Sequence, residues 1–274
     1  MDDDFLLRIW GARGSTPTPG RETLRYGGET TCLEVRAGSA LVLVDCGSGA
    51  RNLGRSLCQS QCKTFDLLFT HTHLDHICGV PFFKPAYKPD FHINAWAGHF
   101  TDRTELVDIM SRIMSPPIFP VAAATLPAFH YRKFMAGDVL PREDNLVIRT
   151  LRLNHPGGAC GYRMEYNGKS ICVITDHEHG VPDIDAALCK FVEGADVMLY
   201  DAMFNQEDYV CYQGWGHSTW EKAVELANVA SVRTPVIFHH DPRRTDDELD
   251  AIGEAARARH PGTLVACEGM VLQP

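Results

Sequence analysis

Directly behind the apolar run DLLFT, the chain reads His71-Thr72-His73-Leu74-Asp75-His76, three imidazoles and a carboxylate in one short stretch. In an extended segment residues i and i+2 point to the same side, so His71 and His73 can grip one cation. Asp75 and His76 lie where the chain turns into ICGVPFF, and they can face a second ion nearby. Imidazole nitrogens and carboxylate oxygens without thiolates suit zinc, manganese or iron. Comparable residues recur behind other strand-like runs: His155 in RTLRLNHPGG, Asp176 in ICVITDHEHG, and His239 and His240 in TPVIFHHDP. Taken singly, a strand-end His is more often structural, and an Asp there is commonly a turn residue. Four such clusters in one chain point to a shared metal-binding rim, because adjacent strand ends converge.

The elements that must bring them together are legible in outline. FLLRIWG, TCLEVRA and ALVLVDCG are short β-type runs bounded by Gly, Pro and Ser. A helix is predicted around Ala50–Ser60, followed by the strands DLLFTH and HINAWA. The stretch from Thr101 to Gly137 mixes a helical RTELVDIMSRIM with the proline-rich SPPIFP, and reads as an insertion serving as a lid or pocket wall. Strands resume with LVIRTLRLNH, CGYRMEY and SICVITD. Helices at Asp185–Glu193 and Thr219–Ser231, the latter with Ser218 as N-cap, then alternate with DVMLYDA and TPVIFHH. Strands followed by alternating strands and helices, twice over, predict two sheets packed face to face with helices outside: an α+β, four-layer αββα sandwich. No linker or repeat marks a boundary, so residues 1–274 read as a single domain.

Composition bounds the partners. The 274 residues are 45% hydrophobic and 22% charged, with a net charge of −9, as in an ordinary globular protein. The acidic balance disfavours a large nucleic acid, which a protein neutralises with Lys and Arg. A small anion remains compatible, because bound cations would reverse the field locally. No run is long enough to span a bilayer, and MDDDFLLRIWGARG lacks the basic and apolar regions of a secretory signal. The 10 cysteines are scattered, which suits reduced thiols in a cytoplasmic protein better than a disulfide framework.

The His-x-His-x-Asp-His motif at 71–76 resembles that of the metallo-β-lactamase superfamily, and the resemblance extends over nearly the whole chain. It is closest in look to the phosphodiesterase branch, including ribonuclease Z and small cyclic-phosphate hydrolases. The features that carry this are GARGSTP…YGGETTCLEV with LVDCGSGARNLG, Asp176 where thiolate-using β-lactamases carry Cys, and GHST at 216–219. The resemblance implies two divalent ions, with Zn2+ expected first and Mn2+ or Fe2+ as alternatives. His71, His73 and His155 would hold one, Asp75, His76 and one of His239 and His240 the other, and Asp176 would bridge them. A hydroxide between the ions would attack phosphorus, with Asp75 orienting it and His217 as general acid for the leaving oxygen. The ligand position immediately after the strand favours His239. Asp45 resembles the family's acid that accepts a ring N–H from a ligand histidine.

The expected substrate is a small phosphodiester such as a cyclic nucleotide, handled by a cytoplasmic enzyme with a homodimer as one possible assembly. Met110, Met114, Ile118 and Phe119 could line its pocket, although such a stripe is more often core. Arg243 and Arg244 read as a solvated helix start, with a phosphate contact as the lesser option. Alternatives on the same site are a ribonuclease Z-like RNA endonuclease and an ester, lactone or thioester hydrolase. A di-iron redox protein or a non-catalytic binding module stands further off.

Overall fold

Most strands here are apolar on both faces, the pattern of sheets covered on each side. In β4 (Thr64–Phe69), Phe65, Leu67 and Phe69 point one way and Leu68 the other. In β9 (Lys169–Ile174), Ile171 and Val173 oppose Cys172 and Ile174. This period-two division places the central strands between an inner core shared by two sheets and an outer core beneath helices.

The computed structural model describes residues 5–100, 105–142 and 144–274. The first sheet runs β13-β1-β2-β3-β4-β5-β6, with β1 Phe5–Gly11, β2 Cys32–Ala37, β3 Ala40–Val44, β5 His92–Ala97, β6 Phe129–Lys133 and β13 Val271–Leu272. The second runs β12-β11-β10-β9-β8-β7, with β7 Val147–Leu153, β8 Ala159–Tyr166, β10 Val197–Asp201, β11 Thr234–Phe238 and β12 Leu264–Val265. Each sheet is antiparallel on one side and parallel on the other: β3 to β6 are parallel neighbours, as are β9 to β12. Helices α1 (Ala50–Leu57) and α3 (Leu106–Ile113) cover the first sheet. Helices α4 (Pro182–Val192), α6 (Trp220–Val229) and α7 (Asp246–Arg259) cover the second. The remaining helices are α2 (Leu74–Ile77) and α5 (Gln206–Tyr212). This is the αββα sandwich expected from the sequence.

Two expectations need correction. The 101–137 stretch is not purely a lid, since Phe129–Lys133 pairs with β5 as the parallel edge strand of the first sheet. Met110 and Met114 are buried in the core under that sheet, Phe119 packs against it, and Ile118 is exposed. The first residues of the predicted lid and helix, 101–104, lie outside the described residues. The helix of 219–231 is capped by Thr219, whose hydroxyl accepts from Lys222 N at 3.1 Å, and not by Ser218. Ser218 is buried, with its hydroxyl 2.7 Å from His179 Nδ1.

All 10 cysteines are free of disulfides, and no helix among the described residues is long and apolar enough to cross a membrane. The inner core therefore carries much of the stability, at roughly 1.5–3 kcal/mol per fully buried aliphatic side chain. Leu68→Ala, at a fully buried inner-core position, is expected to cost about 2–5 kcal/mol in urea unfolding. The exposed Leu24→Ala should stay within roughly 0.5 kcal/mol of the parent. Equal, small losses at both positions would show that the sheets are not packed as described.

Candidate metal centre

The clusters singled out in the sequence meet at one edge of the sandwich, beyond the C-terminal ends of β4, β7, β9 and β11. Donor atoms of His71, His73, His155 and Asp176 lie within 4.8 Å of one another, as do those of Asp75, His76 and His239. Asp176 stands between the two sets. Its Oδ2 is 3.6 Å from both His71 Nε2 and His155 Nε2, while its Oδ1 is 3.2 Å from His76 Nε2 and 3.3 Å from His239 Nε2. Asp75 Oδ2 completes the second set at 3.2 Å from His76 and 3.3 Å from His239.

The outward ring nitrogens of His71, His76 and His155 are anchored, which turns their inward ones into lone pairs. Asp45 accepts from Thr70 N, Thr70 Oγ1 and His76 Nδ1, each at 2.8 Å. With its proton given to Asp45, the Thr70 hydroxyl can accept from His71 Nδ1 at 3.2 Å. Gly216 O accepts from His155 Nδ1 at 2.8 Å. His155 Nε2, an acceptor once Nδ1 carries the proton, then faces His73 Nδ1 at 2.9 Å, a spacing that a proton or a shared cation between the two nitrogens accounts for. His71 Nε2 and His76 Nε2 are buried and have no hydrogen-bond partner. Converging lone pairs and two carboxylates are the donor set a pair of divalent cations requires, so the residues fit the ions.

The electrostatics agree. Burial holds His71 well below the ordinary imidazole range and lowers His73 and His155, keeping them neutral and able to donate. Burial opposes charge on Asp176 and Asp75, but His239, His76 and their neighbours hold both carboxyls below their usual range. For His76, burial is outweighed by Asp75, Asp176 and Asp45, which raise it.

His240 is the exception among the sequence candidates. Its Nε2 donates to Ala266 O at 2.8 Å, burial pushes its pKa down to about 3, and it belongs to neither donor set. The reason is backbone geometry: His239 adopts φ +59° at the end of β11, so only one of two consecutive side chains can turn toward the rim. Arg243 and Arg244 also face elsewhere, paired with Asp241 and Asp208. His217 does reach the site. Its Nδ1 is 2.8 Å from Asp201 Oδ2, and its ring stacks on His239 with centroids 5.1 Å apart. Burial disfavours its charge, but Asp201, Asp176 and Asp75 outweigh this and raise its pKa to about 9. With Asp176 and His239 it forms a third group of potential ligands.

Several supporting residues were not singled out in the sequence. Asp201 ends β10 and looked like an ordinary strand-end Asp. Glu178 accepts from Gly214 N and Gly216 N at 2.7 Å each, fixing the loop whose carbonyl orients His155. A side chain at Gly216 (φ +88°) would meet His155 Nδ1 at 2.2 Å. In the GARGSTP stretch, Ser15 N donates to Asp75 Oδ2 at 2.8 Å. The fully buried Arg13 binds Gly27 O at 2.9 Å and Arg244 O at 2.7 Å, tying that loop to the one after β11. Only the His-Asp spacing carried a sequence signal strong enough to read. These partners are recognised by contact alone.

The sequence of residues 41–240 matches the Beta-lactamase superfamily domain. A ribonuclease Z of Bradyrhizobium sp. (strain ORS 278) is 26% identical over 286 aligned positions, covering 86% of this chain and 91% of that protein. The metallo-beta-lactamase fold protein YhfI from Bacillus subtilis superposes with a TM-score of 0.75 at 17% identity, covering 98% of this chain and 99% of that one. The human short-form tRNase Z (ELAC1) does so with a TM-score of 0.70 at 20% identity, covering 98% of each chain. Fold, rim and family match coincide on the same residues. The chain belongs to the metallo-β-lactamase superfamily and is a metal-dependent hydrolase that resembles ribonuclease Z.

Proposed function

We propose that the chain is a two-metal phosphodiesterase acting on a small phosphodiester, a cyclic nucleotide being the type of substrate. The observation that carries this reading is Asp176, which turns one oxygen to each donor set. That arrangement suits two cations sharing one carboxylate, as in-line displacement at phosphorus uses them. When bound, the cations would supply Lewis acidity and a nucleophilic water near neutral pH. The imidazole and carboxylate donors suit Zn2+ first, and Mn2+ or Fe2+ also.

The protein's own groups then have distinct tasks. His71, His73, His155, Asp75, His76, His239 and Asp176 would hold the ions. Asp75, fixed by Ser15 N, would orient the attacking water from its place beside His76 and His239. His217 gives its Nδ1–H to Asp201 at 2.8 Å and delivers the proton on its other ring nitrogen, Nε2, to the leaving oxygen. Asp201 keeps the imidazole oriented and protonated, the role of a carboxylate behind a general acid.

The net charge of −9 favours a small substrate over a polyanion. The relatives' name nonetheless favours a second reading, an RNA endonuclease, which cleavage of a structured RNA at a nucleotide-like rate would establish.

Wild type is expected to hydrolyse bis(p-nitrophenyl) phosphate only with Zn2+ or Mn2+ present. Asp176→Ala and His73→Ala should each lower that rate by more than roughly a hundredfold, the loss outer partners alone can cause. Metal-independent turnover, or full activity in either variant, would overturn the assignment. His217→Ala should slow esters with poor leaving groups by about a hundredfold or more and p-nitrophenyl esters far less. A leaving-group dependence identical to wild type would remove His217 from the acid role.

A further inference from the structure

Beside the His71 and His73 edge of the metal centre lies a cavity of about 280 Å³ that the assignments above do not use. Its size falls just under the ~300–1,000 Å³ of ligand pockets in general, so it suits one compact substituent and not a whole oligonucleotide. Helix α3 forms one wall through Ile109 and Arg112. The facing walls are His99 and Phe100, after β5, and Pro156 to Gly158, after β7. The His99 and Phe100 rings lie 4.0 Å apart, giving an aromatic surface opposite the aliphatic Ile109. His99 is only 6% exposed; its Nε2 is 3.2 Å from Thr72 Oγ1, and its Nδ1 has no partner.

Arg112 is the one full charge lining this cavity among the described residues. The acids near it on its own helix are committed elsewhere. Asp108, one turn back, accepts from Glu105 N in the helix capping box at 3.0 Å, and Glu105 pairs with Lys133 at 3.1 Å. No ion pair to Arg112 occurs among the described residues, and it is the arginine that lines this cavity. A guanidinium with no ion pair among the described residues, at the mouth of an apolar pocket in an acidic protein, is a ready receptor for a carboxylate or phosphate.

We propose that this cavity seats one substituent of the substrate, a compact planar or apolar group bearing a second anion, and that Arg112 reads that anion. The proposal rests on the phosphodiesterase reading for what occupies the metal edge: the reacting phosphate lies against His71 and His73, and its substituent extends past Phe100 toward Arg112. Substrates with a second negative charge would thereby be selected over neutral diesters of the same size.

The test is equilibrium binding by calorimetry to the metal-loaded protein, with phenyl phosphate, p-carboxyphenyl phosphate and p-phenylene bis(phosphate) as probes. Wild type is expected to bind the two probes that carry a second anionic group about tenfold or more tighter than phenyl phosphate, a difference typical of one charge-assisted contact. In Arg112→Ala that ratio should collapse toward one, and Arg112→Lys should restore most of it. Ile109→Trp, which fills the apolar wall, should weaken all three probes. A wild-type ratio near one, or a ratio that survives in Arg112→Ala, would overturn the proposal. Carboxylate and phosphate preferences are separated by the two charged probes. Failure of the same wild-type preparation to turn over bis(p-nitrophenyl) phosphate would overturn the phosphodiesterase reading, and the binding ratio would still decide the role of Arg112.

Discussion

The rim of this protein depends on one electrostatic constraint: imidazole nitrogens and carboxylates, most of them buried, converge on one point. The unpartnered Nε2 atoms of His71 and His76 state it most directly. A buried polar group without a partner is costly, and several at one point amount to a site shaped for a ligand. Asp176 organises the cluster by dividing its oxygens between the two sets.

Much of the surrounding structure serves to hold that arrangement. Parallel neighbours in both sheets carry their C-terminal ends to the same edge, so residues far apart in sequence arrive together. Three non-glycine residues at this edge, Asp45, Asp176 and His239, have φ near +60°, a conformation costing of the order of 1–2 kcal/mol each. Each lies within two residues of the end of a strand that the cores hold in register, so packing imposes the bend and the bend aims the side chain. Behind them, Asp45 fixes His76, Glu178 fixes the loop that orients His155, and Arg13 joins the loop backing Asp75 to the one after His239.

The sequence carried the fold and the ligand set to different depths. Strands with apolar runs on both faces, and helices with clear caps, were legible because burial leaves a periodic trace. β6 was not, since FHYRK is short and half polar at a sheet edge. His-x-His-x-Asp-His stood out because its spacing is improbable by chance, and His155 and Asp176 followed from repeated placement behind strands. His239 was favoured over His240 by its place immediately after the strand, and the left-handed bend at that residue (φ +59°) aims it at the rim. Asp201, Glu178 and Arg112 act through contacts made only when distant loops meet, so their types alone said nothing.

The most direct test of the account is anomalous diffraction from crystals grown with Zn2+ and collected across its absorption edge. Two peaks per chain are expected, one among His71, His73, His155 and Asp176 and the other among Asp75, His76, His239 and Asp176. A single peak, no peak, or density on His240 in place of His239 would contradict it.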